Sequence, residues 1–337
     1  MATKNNIFTI SERTGYSAST VSRVLSGKAA QYRISQTAVD VITREAALCH
    51  YRPSLVAQSL RTGDTKTIGL LVPGIENPFF STLAGMVISL LDSRGYHTLL
   101  ADSRESEEEE RQELQMFQSR GVEGIICVPA SATPAFHEEI AKSVPLVLID
   151  RYFRETSLPY VCTDNYAGAR EATEYLLEKG YRRILAIQGV PVSMPNQERV
   201  RGFRDALSGR DVLHNVVGDA FSVANGFSET LKAFDGAAKP YDAIFTFSAT
   251  ILLGAINALR QLGMGIGRDV GVISFDNTYF MEFLDPAITC VEQPLHQSAQ
   301  IAVDTLFSIM EARRQGEPEP ERMQQLIRPN LLVRGSC

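Results

Sequence analysis

The feature that most constrains this chain is a series of short, nearly unbroken apolar runs separated by longer amphipathic stretches, beginning near Thr67. Residues 68–72, 97–101, 124–128 and 145–149 read as strands, and 80–94 and 107–120 carry helical periodicity between them. A strand that is apolar on both faces must be covered on both faces. Strands alternating with helices are joined by crossovers, which predicts a parallel sheet wound on both sides. The pattern resumes at 183–187, 243–247 and 270–275, predicting a second α/β unit of similar size. Two such units hold a ligand between them, at the carboxyl ends of their strands. Polar and aromatic candidates gather at those ends: 73–80 after the first run, Asp150-Arg151 after the fourth, 189–199 and Asp276-Asn277 in the second unit.

A different pattern precedes the sheets. Ser17 can cap a helix whose apolar stripe is Val21, Val24 and Leu25, with Gly27 as its left-handed stop. Ala18, Ser19, Ser22 and Arg23 then point outward, a face of small residues and one guanidinium that can approach a nucleic acid closely. Residues 6–14 read as a shorter helix, and Gly15-Tyr16-Ser17 turns it into the next. That is the helix-turn-helix arrangement, although an αα-hairpin inside a larger core has the same local pattern. A third helix runs from Ser35 to about Leu48 with Val39, Ile42 and Ala46 on one face. Residues 54–63 offer two further helical turns, capped by Ser54, stopped by Gly63, and apolar at Val56, Ala57 and Leu60. So short a helix needs a partner.

Charge separates these regions. Residues 1–66 hold nine Lys and Arg against four Asp and Glu, a surplus of five, while the whole chain carries −6, leaving −11 on the remainder. A basic head on an acidic body is the distribution expected if the head alone meets phosphates. At 337 residues, 44% hydrophobic and 21% charged, the chain predicts about two globular domains. No apolar run approaches the ~20 residues of a membrane helix, so no membrane partner is expected. Cys49, Cys127, Cys162, Cys290 and Cys337 lack disulfide or metal spacing, which predicts reduced thiols and a cytoplasmic setting. The N-terminus has no secretory apolar segment, so an exported sugar receptor is not expected.

Several motifs are decoys. Gly263-Met264-Gly265-Ile266-Gly267 follows a helix and precedes a strand, the reverse of a phosphate-cradling turn. Glu107-Glu108-Glu109-Glu110 opens a helix, where a solvated acidic face is expected. The histidines show no metal spacing, and no nucleophile elbow or Walker loop is present. No residues are assigned to catalysis, metal or cofactor, which speaks against an enzyme.

Read together, Thr20-Val21-Ser22-Arg23-Val24-Leu25-Ser26-Gly27, Tyr51-Arg52-Pro53, Ala57-x-Ser59-Leu60-Arg61-Thr62-Gly63, Ile68-Gly69-Leu70 and Asn77-Pro78-Phe79-Phe80 resemble the lactose-repressor/galactose-repressor family of bacterial regulators. The resemblance implies a helix-turn-helix head-piece (1–52), a hinge helix and linker (53–66), and a core like the periplasmic sugar-binding proteins (67–337). Its N-lobe would span about 67–163 plus 294–325, and its C-lobe about 164–293 plus 326–337. It also implies a homodimer whose heads read the two halves of a double-stranded operator, controlled by a small-molecule effector. By position, Ala18, Ser19 and Arg23 match base-reading residues, Thr20 and Ser22 phosphate contacts, and Ala57 and Leu60 the hinge residues, Leu60 being the one that wedges into the minor groove. The effector pocket carried over comprises Asn77, Phe79, Phe80, Asp150, Arg151, Ser193, Arg199, Phe221, Ser248 and Asp276. One departure stands out: many members carry Asn-Asp where this chain has Ser248-Ala249. Together with residues 27–33 and Phe245-Thr246-x-Ser248, it makes the chain similar to the fructose- and sucrose-responsive branch. Asp276 favours a neutral sugar, whereas Arg151 beside Arg199 would equally suit a phosphate. Induction and co-repression use the same parts with opposite sign.

Overall fold

The computed structural model of the 337-residue chain describes residues 6–49, 51, 64–234, 240–320 and 324–337. It divides into two compact units, Met1–Thr65 and Lys66–Cys337. The expected hinge contacts Ala57 and Leu60 lie outside the described residues.

The first unit holds three helices, α1 (Ile7–Thr14), α2 (Ala18–Leu25) and α3 (Gln36–Leu48). Each starts on a side-chain cap: Asn6 accepts from the Thr9 amide, Ser17 from Thr20, and Ser35 from Ala38. A cap of this kind satisfies one of the donors that a helix leaves unpaired at its start. Gly15 ends α1 at φ 72°, a conformation that side chains with a Cβ resist, so the turn into α2 takes only three residues. Ile10, Val21, Val24, Ile42 and Ala46 form the centre. Val39, expected on that face, is half-buried, and Ala38 takes the buried place beside Ile42.

The second unit contains two six-stranded sheets. The first is built from β1 (Thr67–Val72), β2 (His97–Asp102), β3 (Gly124–Cys127), β4 (Leu146–Ile149), β5 (Tyr160–Thr163) and β11 (Gln324–Ile327). Its order is β11-β5-β4-β3-β1-β2, parallel throughout. The second comprises β6 (Arg183–Ile187), β7 (Leu213–Val217), β8 (Ala243–Thr246), β9 (Gly271–Phe275), β10 (Thr289–Glu292) and β12 (Asn330–Leu332). Its order is β12-β10-β9-β8-β6-β7, parallel except for the β10–β12 pair.

Five of these strands exceed the sequence expectation. No residue of β7, β11 or β12 is buried, so edge positions erase the apolar run that marks a central strand. β5 and β10 are four residues long and read Tyr-Val-Cys-Thr and Thr-Cys-Val-Glu, too short and too polar to stand out.

Helices cover both faces of each sheet. α4 (Pro78–Ser93) and α11 (Leu295–Gln315) share one core cluster of the first sheet, and α5 (Glu107–Ser119) and α6 (Ala135–Ala141) the other. On the second sheet, α7 (Asn165–Glu178) and α8 (Met194–Leu207) cover one face, and α9 (Val223–Phe234) and α10 (Ala249–Gln261) the other. The chain passes between the sheets after β5, β10 and β11. The last passage falls after Ile327 rather than at 325–326, because all four residues of β11 pair with β5.

The acidic start of α5 is not a solvated face throughout. Glu107 and Glu108 are exposed, but Glu110 is fully buried. Its carboxylate accepts from the Ala130 amide at 3.2 Å, the Ser131 amide at 2.7 Å, the Ser131 hydroxyl, and His137 Nε2 at 2.7 Å. Burial works to raise the Glu110 carboxyl, but His137 and Ser131 outweigh it and hold it below its ordinary range. Glu110, Cys127 and His137 lie within 4.8 Å of one another. With its oxygens spent on loop amides, Glu110 ties down the segment after β3. Glu110→Ala should therefore lower the unfolding free energy of the second unit by about 3–5 kcal/mol, the usual cost of stranding a buried polar partner. Urea denaturation checks this; a loss below about 1 kcal/mol would contradict the clamp.

Candidate functional site

On the first unit, α2 presents Ser19 and Arg23 exposed and Ala18, Thr20 and Ser22 half-buried. Ser17 Oγ lies 2.8 Å from Ser19 Oγ and 2.9 Å from Thr20 Oγ1, so one hydroxyl both caps the helix and orients its neighbours. The Arg23 guanidinium carbon sits 4.0 Å from the centre of the Tyr32 ring. Stacking on an aromatic face narrows the range that a long side chain samples while leaving its N–H edge available. No role was expected for Tyr32, which supplies this ring.

In the second unit, Asn77, Phe79, Phe80, Asp150, Arg151, Ser193, Arg199, Phe221, Ser248 and Asp276 all line one cavity, together with Pro195 and Gln293. It takes in about 350 Å³ of space, its open mouth included, between the carboxyl ends of the two sheets. Asn77 caps α4 through Oδ1, which accepts from the Phe79 amide at 3.0 Å. Pro78 fills the first helical turn, where no N–H is needed, and Phe79 and Phe80 meet edge to face. Ser248 caps α10 through Oγ. Gly189 follows β6 closely, and a Cβ there would lie 2.2 Å from the Phe221 ring, so the absent side chain is what lets that ring enter.

Two aspartates occupy equivalent places. Asp150 follows β4 and Asp276 follows β9, and both adopt left-handed backbone, φ 67° and 71°. Aspartate visits this region more readily than most residues, at a modest cost in strain. Asp276 Oδ1 accepts from Gln293 Nε2 at 2.6 Å. Asp150 has no described donor on its carboxylate; burial pushes it up to about 6, against the pull of Arg151 and Arg199 and with help from Asp276 and Glu105.

The arginines are anchored differently. Arg199 donates from Nε to Asn165 Oδ1 at 2.7 Å and from a terminal nitrogen to the Phe247 carbonyl at 2.5 Å. It also stacks 3.7 Å over the Phe275 ring, and burial pulls it below its ordinary value against Asp276 and Asp150. Arg151 forms a two-pronged pair with Glu105 at 2.6 and 2.7 Å. Burial works to lower Arg151, but Glu105 outweighs it and holds the guanidinium above its ordinary value.

Among the described residues, seven buried side-chain atoms lack a hydrogen-bond partner, and two of them, Ser193 Oγ and Gln293 Oε1, belong to this cavity. Both residues line the cavity, and a polyhydroxylated ligand has donors and acceptors to satisfy them. Sequence reasoning missed Gln293 because β10, which delivers it, was not legible as a strand.

Comparison with known proteins agrees with this architecture. Residues 173–337 match the family model of the periplasmic binding protein-like domain. The chain is 33% identical over 297 residues to the ribose operon repressor of Halalkalibacterium halodurans, covering 88% of each. It is 29% identical to the transcriptional repressor PurR of Pectobacterium atrosepticum, across 97% of this chain and 95% of that protein. Among solved structures it resembles a periplasmic binding protein/LacI transcriptional regulator from Alkaliphilus metalliredigens complexed with D-xylulofuranose, with TM-score 0.70, 28% identity and coverage of 80% and 98%. It shares the fold of a lac repressor dimer bound to operator and an anti-inducer, with TM-score 0.86, 23% identity and 98% coverage of both chains.

Burial of the Asp150 carboxyl makes the stability of the fold depend on pH. The carboxyl titrates near 3.8 when free and near 6 in the folded protein, so the folded state holds the extra proton between those values. Rising pH through that window should remove about 3 kcal/mol of stability. Asp150→Asn, a neutral isostere, should gain on the natural protein as pH rises from 4 to 7. Paired urea titrations across that range check it; parallel stability curves would contradict the buried titration.

Proposed function

Because the chain belongs to the lactose-repressor/galactose-repressor family of transcriptional repressors, we propose that it is a homodimeric operator-binding repressor of a carbohydrate operon, released from DNA by a neutral monosaccharide held in the cavity between its two sheets. The observation that carries the reading is the convergence on one cavity of all ten residues that the family resemblance implies, Asp150 and Asp276 among them, with Gln293 as an added hydrogen-bonding member. Phenylalanine rings cover the apolar face of a sugar, while carboxylates and Arg199 take its hydroxyls.

Neutrality follows from the charge count. Asp150, Asp276 and Glu105 face Arg151 and Arg199, and both guanidiniums already have partners. A phosphate would find the Arg151 fork taken by Glu105 and carboxylates outnumbering guanidiniums. Ribose enters through the names of similar repressors, xylulose through the sugar bound by a similar regulator, and fructose through the sequence branch.

The dimer reading rests on apolar exposure. Val223, Leu253, Tyr279 and Phe283 stay exposed, the last two at 84% and 76%, on segments whose neighbours Phe234, Ile251, Leu252 and Met281 share one core. Large apolar side chains left exposed in this number are what an association surface would cover. Two copies would place two α2 helices on the half-sites of a near-palindrome. In this scheme the exposed α2 face reads bases, with Arg23 able to bond guanine O6 and N7 and the hydroxyls of Ser19, Thr20 and Ser22 placed for base and phosphate contacts.

The test is calorimetry with ribose, xylulose, fructose and sucrose, repeated with an operator selected from randomised duplexes. One neutral sugar should bind, and operator should weaken that binding by the factor by which sugar weakens operator binding. A protein that selects no duplex, or whose duplex affinity ignores every sugar, would refute the proposal. Asp276→Ala should abolish the sugar response while operator binding persists; wild-type sugar affinity in that variant would move the pocket elsewhere. Arg23→Ala should cost roughly 1–3 kcal/mol at the operator and relax base preference, read by competition footprinting; an unchanged footprint would remove α2 from the groove.

A further inference from the structure

The sugar cavity does not end at Arg151. A second, wider chamber, about 1240 Å³ counted the same way with its open mouth, shares Arg151 and Ser193 with it and is lined further by Glu105, Arg154 and Gln197. A substituent on a bound sugar therefore has room to extend, and size alone would not keep out a sugar phosphate.

Charge does. The chamber holds two guanidiniums: the buried Arg151, taken by the two-pronged Glu105 contact and the one shared with the sugar cavity, and the more exposed Arg154, which gives one terminal nitrogen to Glu198 at 2.5 Å. A phosphate needs free N–H donors arranged as a fork, and here it would meet the Glu105 carboxylate first. Glu105 is held in place for this. It follows Arg104 in a left-handed pair, φ 50° and 54°, its amide donates to the Pro73 carbonyl at 3.0 Å, and Asp102 accepts the Arg104 amide at 2.8 Å. The Glu105 side chain is 41% exposed while that of Arg151 is 8% exposed, so the carboxylate covers the cation from the chamber side.

Resting on the reading of the cavity as a sugar site, we infer that Glu105 is a specificity-determining residue: by occupying the Arg151 guanidinium it admits neutral sugars and refuses their phosphates. Glu105 acts through Arg151 and does not line the sugar cavity itself.

The experiment compares the full-length natural protein with Glu105→Gln and Glu105→Ala by calorimetry. The ligand pairs are ribose with ribose 5-phosphate and fructose with fructose 1-phosphate, each at low and high salt. Removing the negative charge should move the phosphate-to-neutral affinity ratio toward the phosphate by about ten- to a hundredfold at low salt, and by less at high salt. Two variants guard against one misfolding, and melting curves accompany both. A ratio unmoved in a folded variant overturns the inference and leaves the sugar site standing. So does a natural protein that binds a phosphate as tightly as its neutral sugar. A natural protein that binds none of the four ligands brings down the sugar-site reading, and this inference with it.

Discussion

The second unit is governed by a buried charge problem at the edge of its two sheets. Asp150 and Asp276 each follow a fully buried strand, each turns left-handed, and each directs a carboxyl toward one cavity. Two carboxylates in one low-dielectric space repel, and they persist there only with cations fixed nearby. Arg199 supplies one, anchored within the second sheet's layer by Asn165, the Phe247 carbonyl and the face of Phe275. Asp150 comes from the first sheet, so its attraction to Arg199 acts between the layers, as does the Arg154–Glu198 pair. A ligand entering here exchanges those attractions for hydrogen bonds of its own. The relative position of two sheets can then depend on what the cavity holds, because only three strand-to-strand passages join them.

How much of this could be read from the residues alone depended on where each residue sits in its sheet. β1, β3, β4, β6, β8 and β9 are buried along nearly their whole length, so water exclusion writes them as apolar runs. β2 was legible from Thr-Leu-Leu-Ala although only Ala101 is buried, an edge strand betrayed by composition. β7, β11 and β12 left no such trace. The caps Asn6, Ser17, Ser35 and Ser248 obey a local rule of hydroxyl or amide ahead of a helix, which explains why three helices of the head could be placed within a residue. Long-range pairings obey no local rule. Glu105 and Arg151 are 46 residues apart, Glu110 and His137 are 27 apart, and only folding brings them together. For the same reason the pairing of Arg151 with Glu105 could not be read from the sequence, where Arg151 stands beside Asp150 with no sign of its distant partner.

The Glu110 clamp and the Glu105 pair meet at one segment. Glu110 holds the amides of Ala130 and Ser131, and the preceding Pro129 carbonyl accepts from Arg151 at 3.4 Å. Arg151 is therefore steadied from two directions, by a carboxylate across the chamber and by a loop that another carboxylate ties down. Buried ionic groups are poor sources of net stability, and their value lies in geometry. Both here serve to aim one guanidinium whose charge is already balanced.

If the cavity holds the effector as proposed, its response must also leave the cavity, and one element has ends in suitable places. Gln293, whose Nε2 engages Asp276, sits two residues before α11. That helix spans 21 residues, about 31 Å at the usual rise per residue. Near its far end Arg314 bonds Glu123 and the Tyr96 hydroxyl, and Glu123 accepts the Lys66 amide at 2.6 Å. Lys66 is the first residue of the second unit, the point at which the chain arrives from the head. A packed helix transmits displacement along its axis with little loss, since its internal hydrogen bonds resist compression and its flank is buried against the first sheet. Contiguity is not coupling, and a physical route acquires meaning only if its two ends favour different arrangements. At the cavity end, the orphan Gln293 oxygen gives a hydroxylated ligand a hydrogen bond to make, and so a point at which to act on this route.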